Sequence, residues 1–302
     1  MTMLRANFGD FLTPGLRKAF YDAFGRKEMR YQDIFHILTS DKRREVDSYI
    51  TGTGLMPSKN EGSEVMFEDP MQGYSTTYTH TTYAKGVKVT AEMYEDDLYG
   101  MVDKCIDSLA TSAYQRVETA AAYMFYGGGS TTTAPTGYSG GDSVALFSTA
   151  HTLKGGGTEQ NTLSTDADLS VTSLQQALID IESTVDDMGL LVGLKAETLI
   201  VPTDLQFTAS ELLKSVYYPE NAENAINALV GKGLKLVVWP FLTDSDSWFI
   251  QCQKHEANFF WRRPLDFYKD NVSTTRDAIY VGDMRFSLGW SDWRGLYGCY
   301  GA

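Results

Sequence analysis

Apolar residues recur along this chain with two different periods, and the switches between them mark out its elements. Leu16, Ala19, Phe20, Ala23 and Phe24 fall at helical spacing, with Pro14 placed for a first turn and Gly25 to end it. Residues 49–73 have no strong period. They are rich in Gly, Ser, Pro and Asn, as in Thr51-Gly52-Thr53-Gly54 and Lys59-Asn60-Glu61-Gly62-Ser63, and predict turns and extended chain. Residues 74–83 are almost all Thr and Tyr, which favour strands. Alternation puts Tyr74, Thr76, Tyr78, His80 and Thr82 on one face and Ser75, Thr77, Thr79, Thr81 and Tyr83 on the other. Neither face is apolar enough to sit on a core. After Lys85-Gly86, residues 87–93 alternate cleanly, which completes an expected hairpin. A ribbon of this kind is marginal in isolation and needs another surface to lie on.

Residues 94–126 read as one very long helix. Acids (Glu95, Asp96, Asp97) crowd its start, where the helix dipole favours them, and Gly127-Gly128-Gly129 stop it. Its apolar stripe runs Leu98, Met101, Val102, Cys105, Leu109, Ala113, Val117, Ala120, Ala121, Met124. Some 30 residues make a rod of about 45 Å, longer than most globular helices. A low-complexity stretch at 127–168 follows, then a helix at about 171–188 capped by Ser170 and ended by Gly189. Beyond it, a strand at 198–201 precedes helices at 204–214 and 221–230. Short strands are expected at 234–239, 248–252, 259–261, 278–281 and 284–290. Interleaved strands and helices indicate a mixed α+β body.

Composition narrows the class. Of 302 residues, 43% are hydrophobic and 22% charged, as in an ordinary globular protein. No apolar run is long enough to span a membrane, and residues 1–8 lack the apolar run of a signal peptide. Cys105, Cys252 and Cys299 are too far apart for a zinc site or a disulfide framework, which fits folding in a reducing cytoplasm. The net charge of −13 is unevenly placed: residues 1–44 hold nine Lys/Arg against five acids, an excess of +4 that leaves −17 for the rest. A nucleic-acid reader would be basic overall; this chain is not. The basic arm is either plain solvated surface or an arm lying on acidic surface of another copy.

No constellation completes an enzyme signature. The four histidines (His36, His80, His151, His255) form no HxH or HxxxH pair, so no metal ligand set is expected. His151 follows Ser148 closely, but there is no GxSxG elbow and no orienting acid to complete a triad, which favours a structural histidine. Gly155-Gly156-Gly157 lacks the Lys-Ser/Thr of a phosphate loop. Of the acid pairs Glu68-Asp69, Asp96-Asp97 and Asp186-Asp187, two sit near expected helix ends, where capping and solubility explain them without catalysis. No catalytic, cofactor-binding or metal residue is assigned.

The order of elements resembles a known family. Residues 11–20 (Phe11 to Phe20) form a leading amphipathic helix, Lys88-Val89-Thr90-Ala91-Glu92-Met93 passes from hairpin into helix, and Leu146-Phe147-Ser148-Thr149-Ala150-His151 is followed by Gly156-Gly157 and Asn161. With Leu199-Ile200-Val201-Pro202 before a helix, these stretches resemble the tailed-bacteriophage major capsid proteins of the HK97-like fold, and within them the Mu-like major head subunits.

The resemblance implies an N-terminal arm at 1–48, an extended β-hairpin loop at 49–93 and a peripheral domain at 94–194 whose spine helix is 94–126. It further implies an axial domain at 195–255 and C-terminal strands at 256–302 returning to the peripheral domain. The implied function is a structural subunit, not an enzyme. It would self-assemble into hexamers and pentamers of an icosahedral shell around double-stranded DNA, located in the virion and assembled in the host cytoplasm. Its partners would be further copies of itself, a separate scaffolding protein unless the chain is processed, a portal and decoration proteins. DNA would be met by non-specific proximity only, with no membrane and no cofactor. An encapsulin-type nanocompartment shell is the alternative on the same fold, and a hydrolase using His151 is the third reading.

Overall fold

The computed structural model describes residues 9–90, 92–93, 100–127, 140–217, 226–271 and 277–301. Helix α1 (Gly9–Gly25) leads into a short α2 (Tyr31–Ile34), strand β1 (His36–Thr39) and β2 (Arg44–Ile50). Strands β3 (Gln72–Thr79) and β4 (Thr81–Val89) precede α3 (Met101–Tyr126). Two short strands, β5 (His151–Thr152) and β6 (Thr158–Glu159), pair before α4 (Val171–Ser183), β7 (Ala196–Val201) and α5 (Gln206–Lys214). The chain closes through β8 (Lys235–Val238), β9 (Trp248–Cys252), β10 (Ala257–Asn271), β11 (Ala278–Trp290) and β12 (Leu296–Cys299).

The apolar side of α1 forms as expected, with Phe20 and Ala23 buried and Leu16 and Phe24 packed beside them. Pro14 is not in its first turn: the helix already begins at Gly9, which puts the proline one turn further in. The long helix starts at Met101, not at residue 94. Gly100 before it has φ +63°, a left-handed conformation glycine adopts without steric cost and one that a helix cannot continue through. The acids Glu95, Asp96 and Asp97 lie outside the described residues. What remains is a rod of 26 residues, about 39 Å.

Two sheets flank this rod. The first has the order β1-β10-β11-β4, with β1 parallel to β10 and the other pairs antiparallel. It covers α3 and α1 through Phe259, Phe267, Tyr280, Met284 and Phe286, against Ile106, Leu109, Val117 and Phe125. The second sheet has the order β12-β9-β7-β8, and its strands β9 and β12 are buried on both faces. Period 2 in β9 sends Phe249 to the spine-helix core, while Trp248 and Ile250 meet α4 and α5 in a second core. Trp239, Trp290 and Trp293 join the spine-helix core, and Trp248 the second one.

Several expectations change. The two strands at 278–281 and 284–290 are one continuous β11, and 259–261 is part of the fifteen-residue β10. Residues 226–229 are a bridge and a turn, not helix, and the remainder of the expected 221–230 helix lies largely outside the described residues. Helix α4 ends at Ser183, six residues before Gly189, while the Ser170 cap forms with Ser173 in a capping box. The C-terminal strands do not all return to the spine-helix sheet. β10 and β11 do, whereas β12 pairs with β9 in the second sheet.

The hairpin of residues 74–93 is not formed. β3 pairs with β2, and β4 pairs with β11. The expectation failed because Val87 and Val89 looked like a partner for the polar strand, when a long apolar β11 offered them a core. The projecting ribbon is β2–β3, residues 44–79, and its outer end is the irregular segment 51–71.

Candidate assembly interface

The ribbon starts from the sequence Arg44-Glu45-Val46-Asp47-Ser48-Tyr49-Ile50, whose register against β3 runs from Arg44↔Thr79 to Ile50↔Gln72. One face of β3 is covered by the body. Thr76, Tyr78 and His80 are buried, contrary to the expectation that neither face could sit on a core. Tyrosine makes this possible, because its ring packs while its hydroxyl finds a polar partner. The Tyr78 ring lies 4.8 Å from Phe260, and its hydroxyl is 2.6 Å from Ser291 Oγ and 3.4 Å from Asn258 Nδ2. Burial pushes the Tyr78 phenol up to about 12.

A second anchor holds β2. The Tyr49 hydroxyl donates to Asp187 Oδ2 at 2.8 Å, and Asp187 Oδ1 accepts from Arg294 at 3.3 Å and from the Lys154 amide at 3.1 Å. Arg294 and Asp187 are both buried, and Arg294 also reaches Asp292 and donates from Nε to the Val185 carbonyl at 3.0 Å. Lys154 Nζ caps the face of Tyr74 at 3.8 Å. The paired strands of the ribbon are therefore clamped toward both ends, at Tyr78 near Arg44 and at Tyr49 beside the irregular segment, by hydrogen bonds and one buried ion pair.

Beyond that base the chain meets little of its own body. Met56 is 93% exposed and Phe67 90%, with Leu55, Val65 and Met66 also open to solvent. A group of large apolar side chains on a projecting segment marks a partner surface, since isolated soluble chains rarely present one. Phe207 at the start of α5, and Val216, Tyr217 and Ile226 beyond its end, are also exposed. Nothing in the periodicity of 49–73 had singled out these residues. Their signal was the occurrence of Leu, Met, Val and Phe in a segment otherwise built of turn formers.

The residues weighed for chemistry are all engaged elsewhere. His151 is fully buried and stacks on Trp293 at 4.3 Å. Its Nδ1 lies 2.6 Å from Asp142 Oδ2, and its Nε2 lies 3.1 Å from Asn161 Oδ1. The Asn161 amide orientation follows from its Nδ2 donating to the Leu146 and Leu296 carbonyls. Both ring nitrogens are thus occupied and none faces Ser148, whose hydroxyl accepts from the Ala150 amide. The orienting acid that sequence spacing did not reveal is Asp142, but it completes a structural network with no open side for a substrate.

His36 and His255 stack at 4.1 Å, and His80 sits between Ser40 and Ser287. Gly155-Gly156-Gly157 is the turn between β5 and β6, and the Gly155 amide donates to the Asp187 carbonyl. A Cβ at Gly155 would lie 2.2 Å from that oxygen, so close approach explains the glycine. Asp186 Oδ1 caps the turn after α4 by accepting from Met188 and Leu190, and Glu68 accepts from the Gly54 amide. Among the described residues, no group of three or more His, Cys, Asp or Glu could hold a metal ion, and no helix is long and apolar enough to cross a membrane.

Comparison with known proteins places this architecture. A family model described as phage capsid protein matches residues 73–298. No curated protein matches the chain. Among solved structures, one from Microbacterium phage Oxtober96 has a TM-score of 0.59 at 10% identity, covering 91% of this chain and 92% of that one. The capsid of a native GTA particle has a TM-score of 0.59 at 13% identity, covering 92% and 93%. A virus-like particle from Pyrococcus furiosus has a TM-score of 0.54 at 10% identity, covering 94% and 97%. These likenesses show the HK97-like fold. With the family model spanning β3, the spine helix, the second sheet and all of the first sheet but β1, the chain belongs to the phage capsid protein family and is a structural major capsid protein.

Proposed function

We propose that copies of this chain close into hexamers and pentamers of an icosahedral shell around double-stranded DNA, with each ribbon tip resting on the next copy. The carrying observation is the contrast within residues 44–79: paired strands clamped by Tyr49, Tyr78, Asp187 and Arg294, and an end exposing Leu55, Met56, Val65, Met66 and Phe67. On this reading α3 with the first sheet is the peripheral domain, and the second sheet with α4 and α5 is the axial domain. The exposed Phe207, Tyr217 and Ile226 would then lie where copies converge around an axis. The chain works as a building block and not as an enzyme. It assembles in the host cytoplasm with a scaffolding protein, a portal and decoration proteins as further partners, and the motif order favours the Mu-like head subunits.

Replacing residues 55–68 by a short Gly-Ser linker tests this. The variant should stay folded by circular dichroism yet form no shells by negative-stain microscopy and sedimentation velocity. Shells from the shortened chain would refute the role given to the tip. The likeness to a virus-like particle from Pyrococcus furiosus favours a second reading, a nanocompartment shell enclosing protein cargo. Nuclease-resistant DNA inside purified particles supports the first reading, and co-purifying enzyme supports the second.

A further inference from the structure

The base of the ribbon carries a basic patch on an otherwise acidic protein. Arg43 and Arg44 are exposed at the start of β2 and, with Thr79, line a hollow of about 430 Å³. Neither makes an ion pair among the described residues. Arg44 is the register partner of Thr79, which adjoins His80; Arg285 faces Thr82 across the β11–β4 ladder. Arg285 Nε is buried without a hydrogen-bond partner among the described residues, and Arg262 pairs with the fully exposed Asp41 and donates to the Ser40 carbonyl. The imidazole of His80, within this group, is held below its ordinary value by burial first, then by Arg285; Glu45 opposes these and Arg262 adds to them.

The ribbon's other end has the opposite sign. Residues 51–71 contain Glu61, Glu64, Glu68 and Asp69 against Lys59 alone. Glu68 is used within the tip, accepting from Gly54, whereas Glu61, Glu64 and Asp69 are exposed and make no ion pair among the described residues. Seven residues of paired strand separate Arg44 from the start of the tip, about 20 Å at the rise of a β-strand, and among the described residues no ion pair joins the tip to Arg43 or Arg44.

We propose that the acidic tip of one copy docks on the Arg43, Arg44 and Arg285 patch of its neighbour, so that charge sets the register in which the apolar tip residues are laid down. The proposal rests on the reading that copies assemble, and names the surface they use. Charge complementarity of this kind selects partner and register more than it adds affinity.

The test is a charge swap in the full chain. Arg43→Glu with Arg44→Glu should lower shell yield at least about tenfold at low salt, since like charges then face each other. Glu61→Lys, Glu64→Lys and Asp69→Lys together should do the same, and the chain carrying all five changes should recover most of the yield. Unfolding curves of each unassembled variant should match the parent, because these side chains are exposed. Normal assembly by Arg43→Glu/Arg44→Glu, or no recovery in the five-fold variant, overturns the proposal. So does a loss of binding to short duplex DNA with assembly untouched, which would make the patch a phosphate contact. A parent chain that never assembles refutes the assembly reading itself, whereas a parent that assembles indifferently to the swaps refutes only this inference.

Discussion

Replacing Arg294 by Met should destabilise the unassembled subunit by about 3 kcal/mol. Arg294 and Asp187 are both nearly inaccessible, and the guanidinium also serves Asp292 and the Val185 carbonyl. Met keeps the stem's volume but leaves the Asp187 carboxylate with only the Tyr49 hydroxyl and the Lys154 amide. Removing one partner of a buried pair costs about 3–5 kcal/mol, mostly for the charge left behind. The lower end applies because Asp292 is partly exposed and can be solvated again. In thermal unfolding this amounts to a Tm lower by about 6 °C. Hydrogen exchange should also speed up in β2 and β3, because Tyr49 shares the same carboxylate. The control is Asp187→Asn combined with Arg294→Met, which removes the stranded charge and should recover at least half the loss. A single-variant cost below about 1 kcal/mol, or a double variant as poor as the sum of the singles, would refute the reasoning.

Two other outcomes follow from the same structure. Phe125 is fully buried among Phe35, Phe147, Trp239 and Phe249, so Phe125→Ala should cost about 4 kcal/mol in urea unfolding and Phe125→Leu about 1.5 at most. The His255 imidazole is pushed down to about 4, by burial first and then by the stacked His36. The fold therefore favours the neutral ring: its stability contribution is complete above the ordinary value of 6.5 and is lost as pH falls through about 4. The urea midpoint should drop across that window, with a shallower slope in His255→Leu; it will not be flat, because His80 is lowered too.

The elements legible in the chain were those whose signal is local. The stripe of α3, the Ser170 cap, β9 and the strand at Ala196–Val201 follow from period and capping chemistry, which neighbouring residues settle among themselves. Order of elements carried the fold class further, to a resemblance that the family match and the fold then supported. Pairing was different. Whether Val87 and Val89 join the polar strand or β11, and whether β12 closes the first sheet or the second, depends on which surface distant in sequence offers the larger apolar burial. The same holds for chemistry and interface. Asp142 beside His151, Arg294 under Asp187 and the buried face of Tyr78 come together only through tertiary contacts, and they turn candidate reactive groups into structural ones. The tip at 51–71 shows the limit from the other side. Its sequence predicts turns and extended chain, but only the packing of the paired strands on the body decided that Leu55, Met56 and Phe67 are left exposed beyond them.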